Sequence, residues 1–397
     1  MIKNKWIKFF ILYLGATVLS LSQLKIVPIF NEVSQTMNIS MTQTSLLTSI
    51  FTFSALFLAI PGGSILNKFG VKKISVAIMF CLFIGNIMGG FSENYSLLLI
   101  SRIIEGISFS LIMMVSMIYI NYWFRDGSAG LAIGIFGTFS ALASMIGMNI
   151  FRPIYIALGL KSIWFIMSIA SFIVILCFYY LLDGPEESDS NDENKGRLIE
   201  AASNKSTWIL ALGMGCMSFV LFTFITIYPQ IFTQVYHLNP DKSNYYNSLF
   251  GLFAVPFGVI AGVINDRTGK PVSLAFISYI VLSLACFVTV RLSNSILIAQ
   301  VFFASAALSL VSSSISIAVN KLVKRPALIG STFSIIYLFY YIGIFIGSPI
   351  ISKIVEAYGW NIATLVLSGV SLAGTISIAY LVITNSKTAD TEKSIQV

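Results

Sequence analysis

Runs of about 20 apolar residues recur from one end of the chain to the other, and nothing else in the sequence limits its fold so tightly. In hydrocarbon, every backbone N–H and C=O must find its partner within the chain, so such runs are read as helices that cross a bilayer. Twelve are read, at residues 6–28, 44–66, 74–92, 97–118, 129–151, 162–182, 207–229, 246–264, 272–291, 295–318, 328–350 and 362–383. The first follows Lys3, Lys5 and Lys8 and has the look of a signal peptide. It is too long for an h-region, has no small-residue cleavage site and leads straight into a second span, so it is kept.

Composition agrees. Hydrophobic residues make up 57% of the 397 residues and charged residues 10%, against about 45–50% and about 25% in soluble domains. A soluble fold could neither hide that much apolar surface nor cover itself with so few charges. The formal charge of +8 is not a nucleic-acid signal, because the basic residues sit in short clusters between apolar runs and form no basic face. Cys81, Cys177, Cys216 and Cys286 all fall inside apolar runs, so neither a disulfide nor a metal site is expected.

The basic residues set the orientation instead. With the N-terminus in the cytoplasm, the inner side carries 17 Lys and Arg, and the outer loops carry only Arg152, Lys161, Lys242, Arg291 and Lys353. Both termini are therefore expected to be cytoplasmic. The one strong shift in composition is the polar, acidic stretch DGPEESDSNDENKGRLIEAASNKS at 183–206, read as a flexible cytoplasmic linker. It divides the chain into an N-terminal six-helix bundle at 1–182 and a C-terminal six-helix bundle with a short polar tail at 207–397.

A repeat supports this division. GSILNKFGVKK begins at Gly63 after the second span, and GVINDRTGK begins at Gly262 after the eighth. Both fit G-x-x-x-(D/N)-(K/R)-x-G, and their first glycines lie 199 residues apart, half the chain length. Pro28 and Pro229, read as closing the first span of each half, are 201 apart. Gly63 and Gly262 allow close helix approach, and Gly70 and Gly269 allow a tight turn. Asp266 can stabilise a neighbouring helix N-terminus, while Lys68 and Arg267 reach the headgroups.

In these residues the chain resembles the major facilitator superfamily of secondary transporters, whose loop between spans two and three carries this pattern of glycine, acidic residue, basic residue and glycine. The resemblance implies an all-α polytopic membrane protein of twelve transmembrane helices in two pseudo-symmetric six-helix bundles, working by alternating access about a midplane site. Gly63, Asn67, Lys68, Gly70, Gly262, Asp266, Arg267 and Gly269 become the conformational-gating motif. Asn67 departs from the usual aspartate and lacks its charge, which puts more weight on Lys68 and Arg125. The resemblance also implies that small-residue faces meet between the halves. Span five (Gly130, Gly134, Gly137, Ala141, Ser144) would face span eight (Gly251, Ala254, Gly258, Ala261). Span two (Ala55, Ala59, Gly62) would face span eleven (Gly343, Gly347).

Ionisable residues within a span are costly and mark function by default. Three stand clearly inside spans: Lys25 near the end of span one, and Arg102 and Glu105 three residues apart on one face of span four. Spans one and four line the cavity in the superfamily, so the three charges are expected to converge there. The C-terminal half offers hydroxyls and rings, among them Tyr228 and Tyr337. The substrate-binding set is therefore Lys25, Arg102, Glu105, Tyr228 and Tyr337. Arg102 or Lys25 would pair with a carboxylate, and Glu105 would hold an amino group or carry a proton. Two plainer readings stand beside this one: Arg102 and Glu105 neutralise each other within one helix, or Lys25 snorkels to the headgroups.

Residues 24–73 look similar to permeases of the nitrate/nitrite and cyanate group and to the lysosomal dipeptide-transporter branch. The function expected is secondary transport of a small anionic or zwitterionic solute such as an organic acid, amino acid or dipeptide. Inorganic-anion permeation and polyspecific drug efflux are the alternatives. The chain shows no catalytic motif and no filter-like or charge-ring pattern of a channel, and His237 lies in a loop. No enzyme activity, metal or cofactor is expected. The expected partners are the bilayer and a small-molecule substrate with a coupled proton or counter-substrate, handled by a monomer. With no outer glycosylated domain or dileucine-type tail in the sequence, a bacterial-type plasma membrane is the expected location.

Overall fold

The computed structural model of the chain describes residues 4–124, 129–183, 194–323, 325 and 328–395, and among these every regular element is helical. Arg125 and residues 184–193 of the acidic linker lie outside the described residues.

The first apolar run is a helix, α1 (Lys5–Leu24), a 3-10 turn at Val27–Ile29 and a further helix, α2 (Phe30–Met37). Asn4 starts α1 by accepting the N–H of Trp6 at 2.9 Å, which satisfies one of the donors orphaned at a helix start. Pro28 sits in the 3-10 turn and has no N–H to continue the α-helical ladder. The run therefore bends where the sequence reading placed its end, then continues to Met37. Asn38 ends α2 in the left-handed conformation (φ 51°), which asparagine tolerates better than most residues.

The second run is not the unbroken span expected over 44–66. It comprises α3 (Met41–Ser49), a 3-10 turn at Ile50–Thr52, α4 (Phe53–Leu58) and α5 (Gly62–Phe69). A reciprocal capping box of Ser40 and Gln43 opens α3. Pro61, directly before α5, breaks the ladder between the last two pieces. Helices α6 (Val71–Gly90) and α7 (Tyr95–Trp123) follow, and Asn94 caps α7. The fifth run is likewise split, into α8 (Ala129–Phe136) and α9 (Phe139–Leu158), and α10 is Leu160–Leu181.

The second half opens with a short helix, α11 (Asn194–Ser203), followed by α12 (Lys205–Gln234), α13 (Pro240–Thr268), α14 (Pro271–Val288) and α15 (Leu297–Leu322). Pro229 lies inside α12 rather than at its end. The last helical stretch, α16 (Ile329–Ile395), is two helices divided at Gly359, whose φ of 79° breaks it. Among the described residues, eleven segments are long and apolar enough to cross a membrane, the last being the 56-residue stretch Ile329–Thr384 that Gly359 divides. At 1.5 Å per residue that stretch far exceeds a hydrocarbon core of about 30 Å. Large apolar side chains such as Phe10, Phe57, Phe91, Ile169, Leu284 and Ile376 face outward. Water would penalise that surface and lipid accepts it, so the protein is a multi-pass membrane protein.

The chain forms two compact units. The first holds residues 1–191 with 226–252, and the second holds 192–225 with 253–397, so α12 and α13 each contribute to both. In the first unit, Phe9, Leu12, Phe51, Met79, Leu111, Tyr119, Trp164 and Phe178 belong to one buried core. In the second, the hydroxyl of Tyr279 donates to Gly213 O, and Ser283 donates to Ser371 at 2.9 Å. These hydroxyls join α14 to α12 and to α16.

The small-residue faces can be compared with the packing. A Cβ built on Gly251 of α13 would lie 3.4–3.6 Å from Ser144 and Ala141 of α9, the pairing expected of spans five and eight. Within the second unit, a Cβ built on Gly343 or Gly347 of α16 would meet Gly215, Ser218, Phe219 and Thr223 of α12, so these glycines let α16 pack closely on α12.

Candidate functional site

Four charged residues are buried among the described residues: Lys8, Lys25, Arg102 and Glu105. Lys8 donates to both carboxylate oxygens of Asp183, at 2.5 and 2.7 Å, and Trp123 Nε1 donates to the Asp183 carbonyl at 2.9 Å. This cluster ties the start of α1 to the ends of α7 and α10. The other three form a single network with no exposed surface.

The network begins at the break in α1. A helix leaves its last four carbonyls without intrahelical donors, and Arg102 of α7 occupies the space they face. One Nη donates to Ser22 O at 2.8 Å and the other to Gln23 O at 2.8 Å. Its Nε donates to Leu47 O of α3 at 3.0 Å. The same guanidinium donates to Glu105 Oε2 at 2.6 Å and has the ring of Phe51 4.7 Å from its Cζ. A cation at a helix C-terminus is favoured by the macrodipole, and a planar fork suits several acceptors at once.

Lys25, the residue directly after α1, completes the arrangement. Its ammonium donates to Glu105 Oε1 and Oε2 at 2.9 and 3.0 Å and to Asn86 Oδ1 of α6 at 2.6 Å. It also stands 4.8 Å from the ring of Trp164 on α10, a cation–π contact. Ser22 Oγ donates to Glu105 Oε2 at 2.8 Å. Lys25 thus does not snorkel: it is wholly buried, with its head turned to Glu105. Two cations and one anion leave the network with a formal charge of +1.

Glycine makes the close packing possible. A Cβ built on Gly85 would lie 2.8 Å from Ser101 O and 2.9 Å from Glu105 N, so a bare backbone is required for α6 to sit this near to Glu105.

The other sequence candidates have ring contacts of their own. Tyr228 is buried and stacked on Phe232, with ring centroids 5.2 Å apart. Tyr337, in the second unit, is partly exposed and stacks on Phe333 at 6.0 Å. In the repeated motif, Gly70 (φ 80°) and Gly269 (φ 67°) both have a positive φ, which glycine adopts without a Cβ penalty. Lys68 is exposed, its Nζ 5.5 Å from the ring of Phe69. The surroundings of Gly63 and the side chain of Asn67 lie outside what the structure describes. Gly262 is open, with no atom within 4 Å of an added Cβ. Asp266 and Arg267 are exposed, and Lys321 donates to Gly269 O at 3.0 Å, which closes the turn from α15.

Sequence reasoning missed Asn86, Ser22 and Trp164. An amide inside the apolar run CLFIGNIMGG was a visible signal, passed over because it carries no charge. The indole N–H of Trp164 is buried and donates to no described acceptor. The carbonyl ligands of Arg102 carried no signal at all, since any residue supplies one.

Comparison with known proteins supplies the family. A model of the Major Facilitator Superfamily matches residues 9–325 and 210–396. The chain belongs to this superfamily. Among individual members, the lysosomal dipeptide transporter MFSD1 of Bos taurus is 22% identical over 261 residues, covering 60% of this chain and 56% of that protein. The probable sulfoacetate transporter SauU of Cupriavidus necator is 20% identical over 279 residues, covering 66% of this chain and 63% of that protein. The chain thus spans less than two thirds of these curated relatives. A crystal structure of a bacterial homolog of the human lysosomal transporter Spinster, inward-facing and unoccupied, matches with a TM-score of 0.73 and 15% identity over 96% of both chains. That likeness shows the superfamily fold. The matched superfamily members are named as transporters.

Proposed function

We propose that this superfamily member is a secondary active transporter that moves a small anionic or zwitterionic solute by alternating access. One observation carries the reading: Lys25, Arg102 and Glu105 form a fully buried network with a formal charge of +1. A charge taken out of water costs several kcal/mol unless it is paired, and this network holds one more cation than anion. In the absence of substrate, Glu105 occupies the place that the solute's anionic group takes on binding. An entering carboxylate competes with Glu105 for Lys25 and Arg102, and the released Glu105 receives an amino group where the solute has one. Solutes of the kind that the matched relatives are named for, a dipeptide and sulfoacetate, bear the acidic groups this scheme needs.

The same reading includes twelve crossings with both termini cytoplasmic, halves at 1–182 and 207–397 joined by the linker at 183–206, and the glycine motifs as conformational hinges. Tyr228 and Tyr337 take the uncharged part of the solute as the halves close. Coupling runs through a proton or a counter-substrate, the monomer is the working unit, and the location is a bacterial-type plasma membrane. Support for these parts comes from the charge asymmetry of the loops and from the repeat.

The test is uptake by the purified protein in proteoliposomes, with a thermal-shift screen of amino acids, dipeptides and mono- and dicarboxylates to find the solute, since ligands stabilise the folded state by mass action. Lys25→Ala and Arg102→Ala are each expected to weaken binding strongly and to bring uptake to background. Wild-type binding and transport in both variants would overturn the reading.

A further inference from the structure

The charged members of the network define what it attracts, and a neutral member limits how much. Asn86 is wholly buried on α6. Its Oδ1 accepts from Lys25 Nζ at 2.6 Å, while its Nδ2 donates to Leu82 O at 2.8 Å and to Ser22 Oγ at 3.1 Å. The orientation of this amide is dictated by chemistry. An ammonium can only donate and a carbonyl can only accept, so the oxygen must face Lys25 and the nitrogen must face Leu82. Ser22, receiving from Asn86, donates its own O–H to Glu105 Oε2 at 2.8 Å. The amide therefore fixes the Lys25 ammonium and the Glu105 carboxylate from one side, and does so without adding charge.

That neutrality has a consequence. An aspartate at position 86 would also reach Lys25 and would be nearly isosteric. It would bring the network to two cations and two anions, a formal charge of zero. Nothing would then remain for the anion of a solute to neutralise, and Leu82 O would face a second acceptor. Glu105 already contacts both cations, so the one group on Lys25 that can be either charged or neutral without rebuilding the site is the one at 86.

We infer that Asn86 is the specificity-determining residue of the buried network: as an amide it holds Lys25 in position and keeps the site one charge short of neutrality, which selects solutes of net charge −1. The inference rests on the reading of the network as the substrate site. It goes further in committing that site to a monoanion over a zwitterion, and in assigning the choice to a residue that carries no charge.

The experiment varies ligand charge on a constant skeleton. N-acetylalaninate (net −1), alanine (net zero) and alaninamide (net +1) are titrated against the full chain in nanodiscs, by calorimetry or by competition. The wild type is expected to bind N-acetylalaninate most tightly and alaninamide least. Asn86→Asp is expected to lower the preference for N-acetylalaninate over alanine at least about tenfold, because one unit charge a few ångströms away is worth more than that inside a protein. Asn86→Ser, neutral like the native residue, is expected to keep the preference. Should Asn86→Asp fail to fold, Lys25→Gln removes the same unit of charge by another route and must shift the preference in the same direction. A purely structural role for Asn86 would weaken all three ligands together and leave their ratio unmoved. If the wild type binds the series and neither charge variant moves the ratio, the inference is overturned and the substrate-site reading stands. If the wild type binds none of the three, the substrate-site reading falls and takes the inference with it.

Discussion

Glu105 lies one helical turn from Arg102, yet it pairs as closely with Lys25, a residue 80 positions earlier that reaches it from the end of another helix. The two contacts are 2.6 Å to Arg102 and 2.9 Å to Lys25, and none of the three side chains is exposed. One carboxylate therefore serves two buried cations. Glu105→Gln would leave both without an anion, the situation that makes breaking a buried pair cost about 3–5 kcal/mol. The expected result is a marked fall in the thermal unfolding midpoint of the purified protein. If the site accepts anions, millimolar N-acetylalaninate will restore part of that loss in Glu105→Gln and will do less for the wild type. Equal stabilisation of both proteins would show that Glu105 does not occupy the ligand's place.

Arg102→Lys tests geometry at constant charge. Arg102 links Leu47 O on α3 with Ser22 O and Gln23 O on α1 through three different nitrogens. A lysine carries all its donors on one nitrogen and cannot span these acceptors. At least two charge-assisted hydrogen bonds are lost, each worth about 1.5–3 kcal/mol. A loss of roughly 3 kcal/mol or more is therefore expected, read as a lower unfolding midpoint, together with uptake near background. Full activity in Arg102→Lys would mean that only the charge matters.

Gly85 and Gly134 make a matched pair. A Cβ on Gly85 meets Ser101 O at 2.8 Å and Glu105 N at 2.9 Å, whereas one on Gly134 meets nothing within 4 Å. Overpacking against backbone typically costs about 1–3 kcal/mol. An exposed helical Gly→Ala change is neutral or stabilising by up to about 1 kcal/mol. Gly85→Ala is thus expected to destabilise the protein and raise the KM for uptake, with Gly134→Ala close to wild type in both. Indistinguishable variants would mean that α6 and α7 have room to part.

Residues explain how far the sequence carried. Lys25, Arg102 and Glu105 were legible because a charge in an apolar run has no cheap explanation. Their convergence was legible too, through the family to which the repeated glycine motif pointed. The acceptors of Arg102 were not. Ser22 O and Gln23 O are available because α1 ends at Leu24, and Leu47 O because α3 passes alongside, and neither fact alters the hydropathy of a residue. The second span was read as continuous because a window average does not register Pro61 or a 3-10 turn. Lys8 was counted only as a topological charge, and its pairing with Asp183 crosses 175 residues of chain. Tyr228 and Tyr337 were chosen for chemistry alone, and the structure sets each among other rings.

The last prediction concerns the end of the first unit that the proposed topology places outside. Arg152 of α9 bridges Glu32 of α2 at 3.1 Å and Asp241 at the start of α13 at 2.6 Å, and Asn244 donates to Pro28 O at 2.9 Å beside them. The two ion pairs differ in setting. Glu32 is 19% exposed and Asp241 is 68% exposed. A solvated pair contributes about 0–1 kcal/mol, so Asp241→Asn is expected to leave the unfolding midpoint nearly unchanged despite the shorter distance. Glu32→Gln strips the better-shielded partner and is expected to cost more, with a smaller response to added salt. The proposed alternating-access cycle requires this tether to open in every turnover. Arg152→Gln is therefore expected to speed external maleimide labelling of a cysteine placed at Asn244, and substrate will modulate that rate. A labelling rate independent of both residue 152 and substrate would show that these helix ends stay together throughout transport.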